Sequence, residues 1–239
     1  MNEPVPPPGP SPRVTALRPR RGDRVAVVLD DGRELVVSAR LTVEFGLRAG
    51  NPLDPQDEAR LAEADAAVRA REAALSLLSF RPRSRRELAD RLRRKGFEAR
   101  VVDATLDDLS ERGWVDDAAF ARAVVRDRLR LRPRGPGRMA QELRHLGVGD
   151  RDAREAVEQV FEEEEVSVPA LALELARGWL RRQSPAVGAA LMADEFTPER
   201  EKARRRLHAF LARRGFAGGA ARGALEGLLA DPPPSRGRS

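Results

Sequence analysis

The sequence predicts a mainly α fold: tandem three-helix repeats in an elongated stack, preceded by a small antiparallel β-sheet. Three observations carry that expectation. β-Branched residues concentrate between Val14 and Ala39. From Pro55 to Ala230 every periodic stretch has helical spacing, with no further strand signal. One glycine-centred pattern recurs three times, at Gly96-Phe97, Gly147-Val148 and Gly215-Phe216.

Taken in order, residues 1–12 hold six prolines and residues 231–239 read Asp-Pro-Pro-Pro-Ser-Arg-Gly-Arg-Ser, so both ends are expected to be disordered tails. Residues 13–55 form the β-rich extension. Val25–Leu29 and Leu35–Val37 flank Asp30-Asp31-Gly32-Arg33, whose Asp-Gly pair suits a tight hairpin turn, and Val14–Leu17 reads as a third strand. A short helix over Leu41–Phe45 follows, and Gly46–Pro55 changes direction. A sheet this small is marginal unless something covers it.

The repeats are expected over 56–113, 114–165 and 166–230. Eight residues before each glycine stand Leu88, Met139 and Leu207, and four before stand Leu92, Leu143 and Leu211. Ten after stand Leu106, Val157 and Leu225, and thirteen after stand Leu109, Val160 and Leu228. This is the pattern of a helix with an apolar stripe, a left-handed glycine C-cap, an apolar residue folding back, and a second amphipathic helix. A preceding helix fits each hairpin, at Asp57–Phe80, Asp117–Leu131 and Val168–Arg182, giving three helices per copy and nine in all. Start signals agree: Ser84-Arg85-Arg86-Glu87 is a capping box, Asp116 precedes the helix from Asp117, and Thr197 precedes a first-turn Pro198. The glycines are 147 − 96 = 51 and 215 − 147 = 68 residues apart, which puts an insertion near Ala186–Phe196. Phe97 and Phe216, fixed beside the cap glycines, are expected in the core; Trp114 and Trp179 are expected to pack between helices, Trp114 with part of its surface open.

Composition bounds the function. Charged residues make up 34% of the 239-residue chain against 41% hydrophobic, a balance that favours thin, extended packing. There is no run of about 18 apolar residues and no apolar signal core in Met1–Pro12, so the expectation is a soluble, cytoplasmic protein. The absence of cysteine excludes disulfides, thiolate nucleophiles and thiolate metal sites. No phosphate loop, serine elbow or zinc spacing occurs, and Gly135-Pro136-Gly137 lacks the continuation of a nucleotide loop. Asp103, Asp107 and Asp108 imitate a metal-binding carboxylate cluster, but early-turn carboxylates favour a helix dipole and need no metal. His145 and His208 occupy different repeat offsets and define no site. The reading is therefore of no enzyme, no cofactor and no metal.

Basic residues exceed acidic ones by 44 − 38 = 6, which points to an anionic partner. A GC-rich genome produces the same arginine bias, so arginine abundance alone identifies nothing. The distribution says more. Arg81–Arg100 holds nine basic residues against three acidic, Arg122–His145 eight against two, and Arg200–Arg214 seven against one, an excess of six in each. Glu155–Glu165 holds six acidic residues and no basic one. A solvated helix face explains any single run; repetition in register suits a stripe for a nucleic-acid backbone or an acidic groove. With 4% aromatic residues and no tyrosine, base stacking and base-specific reading are not expected. The candidate contacts are Arg85, Arg86, Arg93, Arg94 and Lys95, then Arg134, Arg138, Arg144, Arg205, Arg213 and Arg214.

The stretch Ala74–Leu88, with Leu92-Arg93-Arg94-Lys95-Gly96-Phe97, resembles the first repeat of the RecX family. Gly113-Trp114-Val115-Asp116-Asp117 with Phe120-Ala121 is similar to that family's entry into its second repeat, Gln141-Glu142-Leu143 with Gly147-Val148 to its middle, and Leu211–Phe216 to its third-repeat signature. The resemblance runs from about Val14 to Leu229. It departs where His145-Leu146 stands in place of the basic residue common before the second glycine, and over Ala186–Phe196. It implies a curved stack of three-helix repeats lying in the groove of the RecA–DNA filament, restraining its ATPase, strand-exchange and co-protease activities in DNA repair and the SOS response, with no active site. A monomer fits such a repeat protein. The alternative from the residues alone is a stand-alone, sequence-nonspecific DNA-binding protein.

Overall fold

A computed structural model describes residues 11–231, so most of both expected tails lies outside the described residues. These residues form two compact units. One runs up to Pro82 and resumes with Leu88–Val115; the other joins Arg83–Glu87 to the chain from Asp116 onward.

The first unit opens on three antiparallel strands, β1 (Val14–Arg20), β2 (Arg24–Leu29) and β3 (Glu34–Ser38), in the order β1-β2-β3. The turn between β2 and β3 holds Gly32 at φ +86°, a conformation a side chain would strain. β1 runs three residues past the expected Leu17, through Pro19. It is an edge strand, where proline's missing N–H leaves no gap in the ladder. A short helix α1 (Ala39–Glu44) follows β3, and Pro12, Val14, Gly50, Asn51 and Leu53 then exchange backbone hydrogen bonds that return the chain to the start of the sheet.

The cover this sheet requires is α2 (Pro55–Phe80), started by Asp54, whose side chain accepts from Asp57 N–H at 2.8 Å. Leu61 and Val68 on α2 pack with Val14, Val27, Leu29, Val37, Leu41 and Leu53. Between them Asp65 is buried and takes a two-pronged hydrogen bond from Arg24 of β2 (2.7 and 2.9 Å) and the N–H of Ser38 (2.9 Å). Six residues after Val68, Ala74 enters a second core with Leu88, Leu92, Leu106 and Leu109, contributed by α3 (Arg85–Arg94) and α4 (Ala99–Glu111). A single long helix thus serves both the sheet and the first hairpin.

In the second unit, α5 (Asp117–Leu131), α6 (Pro136–His145) and α7 (Asp150–Glu163) enclose a core of Phe120, Val125, Met139, Leu143, Val157 and Val160. α8 (Val168–Leu180), α10 (Pro198–Arg213) and α11 (Gly218–Ala230) enclose another around Trp179, Leu207, Leu211, Phe216, Leu225 and Leu228. The insertion is itself helical: α9 (Pro185–Met192) packs on α10 and buries Leu191, so the described residues hold eleven helices where nine repeat helices and one short helix were expected.

All twelve aligned apolar positions are buried, the most open of them, Val157 and Leu225, at 2% and 7%. Phe216 is buried and Phe97 partly so, while Trp114 is 60% exposed, more open than the partly covered position between helices expected for it. Asp116 and Thr197 cap as expected, accepting from Ala119 N–H (2.8 Å) and Arg200 N–H (3.2 Å). The aspartates of α4 need a different account from the dipole argument. α4 has no acidic residue in its first turn; Asp108 pairs with Arg71 (2.9 Å) and Arg112 (2.6 Å), and Asp103 with Arg93 (3.3 Å). No group of acidic and histidine side chains suited to a metal ion occurs among the described residues.

Candidate functional site

The three hairpins turn alike. Gly96, Gly147 and Gly215 have φ of +89°, +91° and +88°. In each, the glycine N–H donates to the carbonyl three residues back, and the next N–H donates to the carbonyl of the buried leucine: Phe97 to Leu92 (3.3 Å), Val148 to Leu143 (3.1 Å), Phe216 to Leu211 (3.1 Å). Carbonyls left over at a helix end are thereby satisfied.

Their surroundings differ. A Cβ on Gly96 would meet nothing within 4 Å, one on Gly147 would lie 2.7 Å from Arg86 Cβ, and one on Gly215 would lie 2.2 Å from the backbone nitrogen of Arg138. The second and third glycines are pressed against the start of the preceding hairpin's helix. Ser84, twelve residues before Gly96, donates its hydroxyl to the carbonyl of Leu146, one residue before Gly147, while accepting from Glu87 N–H (3.2 Å) to cap α3. Gly135, twelve residues before Gly147, donates its N–H to the carbonyl of Arg214, one residue before Gly215 (2.8 Å), and Gly137 N–H donates to Gly215 O (3.2 Å). One joint is therefore used twice: the C-terminal end of α6 meets the N-terminal end of α3, and that of α10 meets that of α6. Carbonyls at the end of one helix thus face donors at the start of another.

These joints sort the charged residues. At the first, Arg85 and Arg86 stand on α3 and Arg144 near the end of α6. Arg85 N–H donates to Asp117 Oδ1 (2.7 Å), and Arg144 pairs with Asp150 (2.7 Å). Burial pushes the Asp117 carboxyl above its ordinary value, against the pull of the Arg85 N–H and with a push from Asp152. At the second, Arg134 and Arg138 meet Arg213 and Arg214 around an open cleft of about 960 Å³, joined by Arg132 and Gln141 and lined by no acidic residue. Arg214 lies over the Phe210 ring (5.3 Å), and Arg138 donates to Gln141 (2.7 Å). Arg132 and Arg213 carry no ion pair among the described residues. Behind the cleft Glu142 accepts from Arg128 (2.6 Å) and Arg134 (3.3 Å). Burial raises that carboxyl, but the Arg128 hydrogen bond and the charges of Arg128, Arg134 and Arg138 outweigh it and hold it below its ordinary value. The local field is strongly positive.

The remaining candidates do not line the cleft. Arg93, Arg94 and Lys95 end α3 in the first unit, with Arg93 near Asp103 and Asp90. Arg205 is exposed in mid-α10, eight residues and so more than two turns before Arg213. Arg132, outside the eleven candidates, enters the cleft from the alternating run Arg128–Arg134, a charge pattern visible in the sequence. The exposed His145 sits with Nδ1 2.7 Å from the Gln141 carbonyl, which it donates to as the Nδ1–H tautomer. Among the described residues no helix is long and apolar enough to cross a membrane.

Residues 70–109 match the first three-helix domain of RecX and residues 116–157 the second. The "Regulatory protein RecX" of Halorhodospira halophila is 39% identical over 178 residues, covering 74% of this chain and 98% of that protein. The chain belongs to the RecX family. Among other RecX relatives, the regulatory protein of Lactobacillus delbrueckii is 30% identical over 145 residues, where this chain spans about half the relative's length (54%). A crystal structure of regulatory protein RecX shares the fold, with a TM-score of 0.67 over 92% of this chain and 99% of that one at 24% identity. In RecX terms, the arginine cleft is lined by residues of the second three-helix domain and of the end of α10 beyond it.

Proposed function

We propose that this protein regulates the RecA recombinase by binding the RecA–DNA filament, and that it mainly inhibits strand exchange, ATP hydrolysis and co-protease activity in DNA repair and the SOS response. It acts in the cytoplasm as a monomer, without catalysis or cofactor. The reading is supported by family membership, and one observation carries it: the same joint, used twice, gathers basic side chains at two places along the chain. α6 separates the joints by ten residues, about 15 Å at 1.5 Å per residue. Two positive clusters at that interval let one molecule hold a long polyanionic filament through several contacts, each weak alone and strong together. Arg85, Arg86 and Arg144 serve at one joint and Arg134, Arg138, Arg213 and Arg214 at the other; Arg93, Arg94, Lys95 and Arg205 extend the contact outside them.

The test adds the purified protein to preformed RecA filaments and follows ATP hydrolysis and strand exchange, beside binding to DNA alone across salt concentrations. Inhibition at substoichiometric protein supports the reading. Tight, steeply salt-dependent DNA binding with no effect on RecA overturns it in favour of the stand-alone DNA-binding reading, which the acid-free arginine cleft also suits.

A further inference from the structure

We infer that the cleft at the α6–α10 joint is a preformed site for consecutive phosphates of a single nucleic-acid strand, gripped by the backbone with the bases turned outward. The inference concerns this cleft alone and stands or falls separately from regulation of RecA. Its lining sets the ligand chemistry. Arg132, Arg134, Arg138, Arg213 and Arg214 surround a space of about 960 Å³ with Gln141 and no carboxylate in the lining. Guanidinium forks match phosphate oxygens in pairs, and a space this size admits more than one phosphate. Apart from Leu131 and Ala212 the lining offers little apolar surface for the side chains of a peptide. The lining holds no aromatic ring, and Phe210 is already covered by Arg214, so no stacking platform is left for a base.

The site is shaped before any ligand arrives. Gly135 and Gly137 donate to the carbonyls of Arg214 and Gly215, holding backbone against backbone, and a Cβ on Gly135 would lie 2.5 Å from Gly215 O. Arg138 from one helix start and Arg213 and Arg214 from the opposing helix end are thereby set around one space at no ordering cost to the backbone when the ligand binds. Glycine at these positions has a binding role beyond its turn: Gly135, Gly137 and Gly215 are positioning residues for the arginines. The Gly135-Pro136-Gly137 run that fails as a nucleotide loop instead permits this approach.

The experiment measures binding of a short labelled oligothymidylate to the full chain across a salt series, with inorganic tripolyphosphate and polyglutamate as competitors. Arg132→Ala, Arg138→Ala and Arg213→Ala are combined, since none of the three forms an ion pair among the described residues and the fold survives their loss. Each lost phosphate contact weakens binding about tenfold and lowers the salt slope by about 0.7, so the triple variant falls by about two slope units. Gly137→Ala, whose Cβ would lie 3.2 Å from Gly215 O and needs only a small shift, keeps every charge yet weakens oligothymidylate several-fold. Tripolyphosphate displaces the oligonucleotide at far lower concentration than polyglutamate of equal charge. An unchanged slope in the triple variant overturns the site, and equal displacement by polyglutamate overturns its assignment to phosphodiesters. Oligothymidylate binding that behaves as described, in a protein without effect on RecA, leaves this site standing and refutes the regulatory reading alone.

Discussion

Replacing Gly96, Gly147 and Gly215 one at a time by alanine separates the energy of the turn from that of the joint. All three have the same φ within a few degrees, so each alanine meets the same left-handed strain, about 1 kcal/mol after allowing for the stiffer unfolded chain. At Gly96 nothing lies within 4 Å of the new Cβ, and strain is the whole effect. At Gly147 the new Cβ meets only Arg86 side-chain atoms, at 2.7 to 3.1 Å. The nearest of these is Arg86 Cβ, which no rotamer moves, so the start of α3 must give by a few tenths of an ångström, for a total of about 2 kcal/mol. At Gly215 the obstacle is the Arg138 backbone, 2.2 Å away from its nitrogen, and no rotamer relieves it. The joint must open and forfeit the Gly135 and Gly137 hydrogen bonds, each worth about 1 kcal/mol, so the total reaches about 3–4 kcal/mol. Urea unfolding followed by far-ultraviolet circular dichroism gives the order, and fluorescence of the buried Trp179 reports the α8–α11 core that Gly215 serves. Equal losses at the three sites, or the greatest loss at Gly96, would refute the joint as a stabilising contact.

Three further outcomes follow from single side chains. Asp65→Ala strands Arg24 and the Ser38 N–H between the sheet and α2 and costs about 2–3 kcal/mol in urea unfolding, whereas loss of the exposed Arg151–Glu155 pair leaves the urea midpoint essentially unmoved. Glu165 ends α7 at φ +51°, the one non-glycine residue with positive φ among those described, so Glu165→Gly raises stability by about 0.5–1 kcal/mol, read as a higher urea midpoint. Glu142, held below the ordinary carboxyl value of 4.5, binds fewer protons folded than unfolded, so its contribution is full above that value and fades as pH falls through the lower, folded one. Glu142→Gln accordingly destabilises at neutral pH, and the gap to the parent narrows in the acid range; a gap that widens there has the sign wrong.

The hairpins were legible because the physics that makes them is local. Four apolar registers around a glycine state which side of each helix is buried, and Leu92, Leu143 and Leu211 are indeed at 0% exposure. α9 was hidden because Pro185–Met192 is nearly all apolar and small, without the polar alternation that marks a helix with one wet face. The extent of Trp114's exposure is not legible in the sequence, because the aromatic ring's usual gain from burial says nothing of where a neighbouring turn points it. The cleft was legible only in part. Arg213 and Arg138 are 75 residues apart (213 − 138), and what unites them is a contact between backbone atoms of Gly135, Gly137 and Gly215 that leaves no side-chain signature. The double appearance of a small residue twelve positions before a cap glycine, Ser84 and Gly135, is the faint trace of it in the sequence.

The most direct measurement is the rate of ATP hydrolysis by preformed RecA filaments on single-stranded DNA, with this protein titrated in beside its Arg138→Ala, Arg213→Ala, Arg214→Ala form. If the cleft holds the filament, the parent suppresses hydrolysis below one molecule per RecA and the variant needs at least about tenfold more protein. Hydrolysis that is unaffected by the parent, or suppressed equally by both, would contradict it.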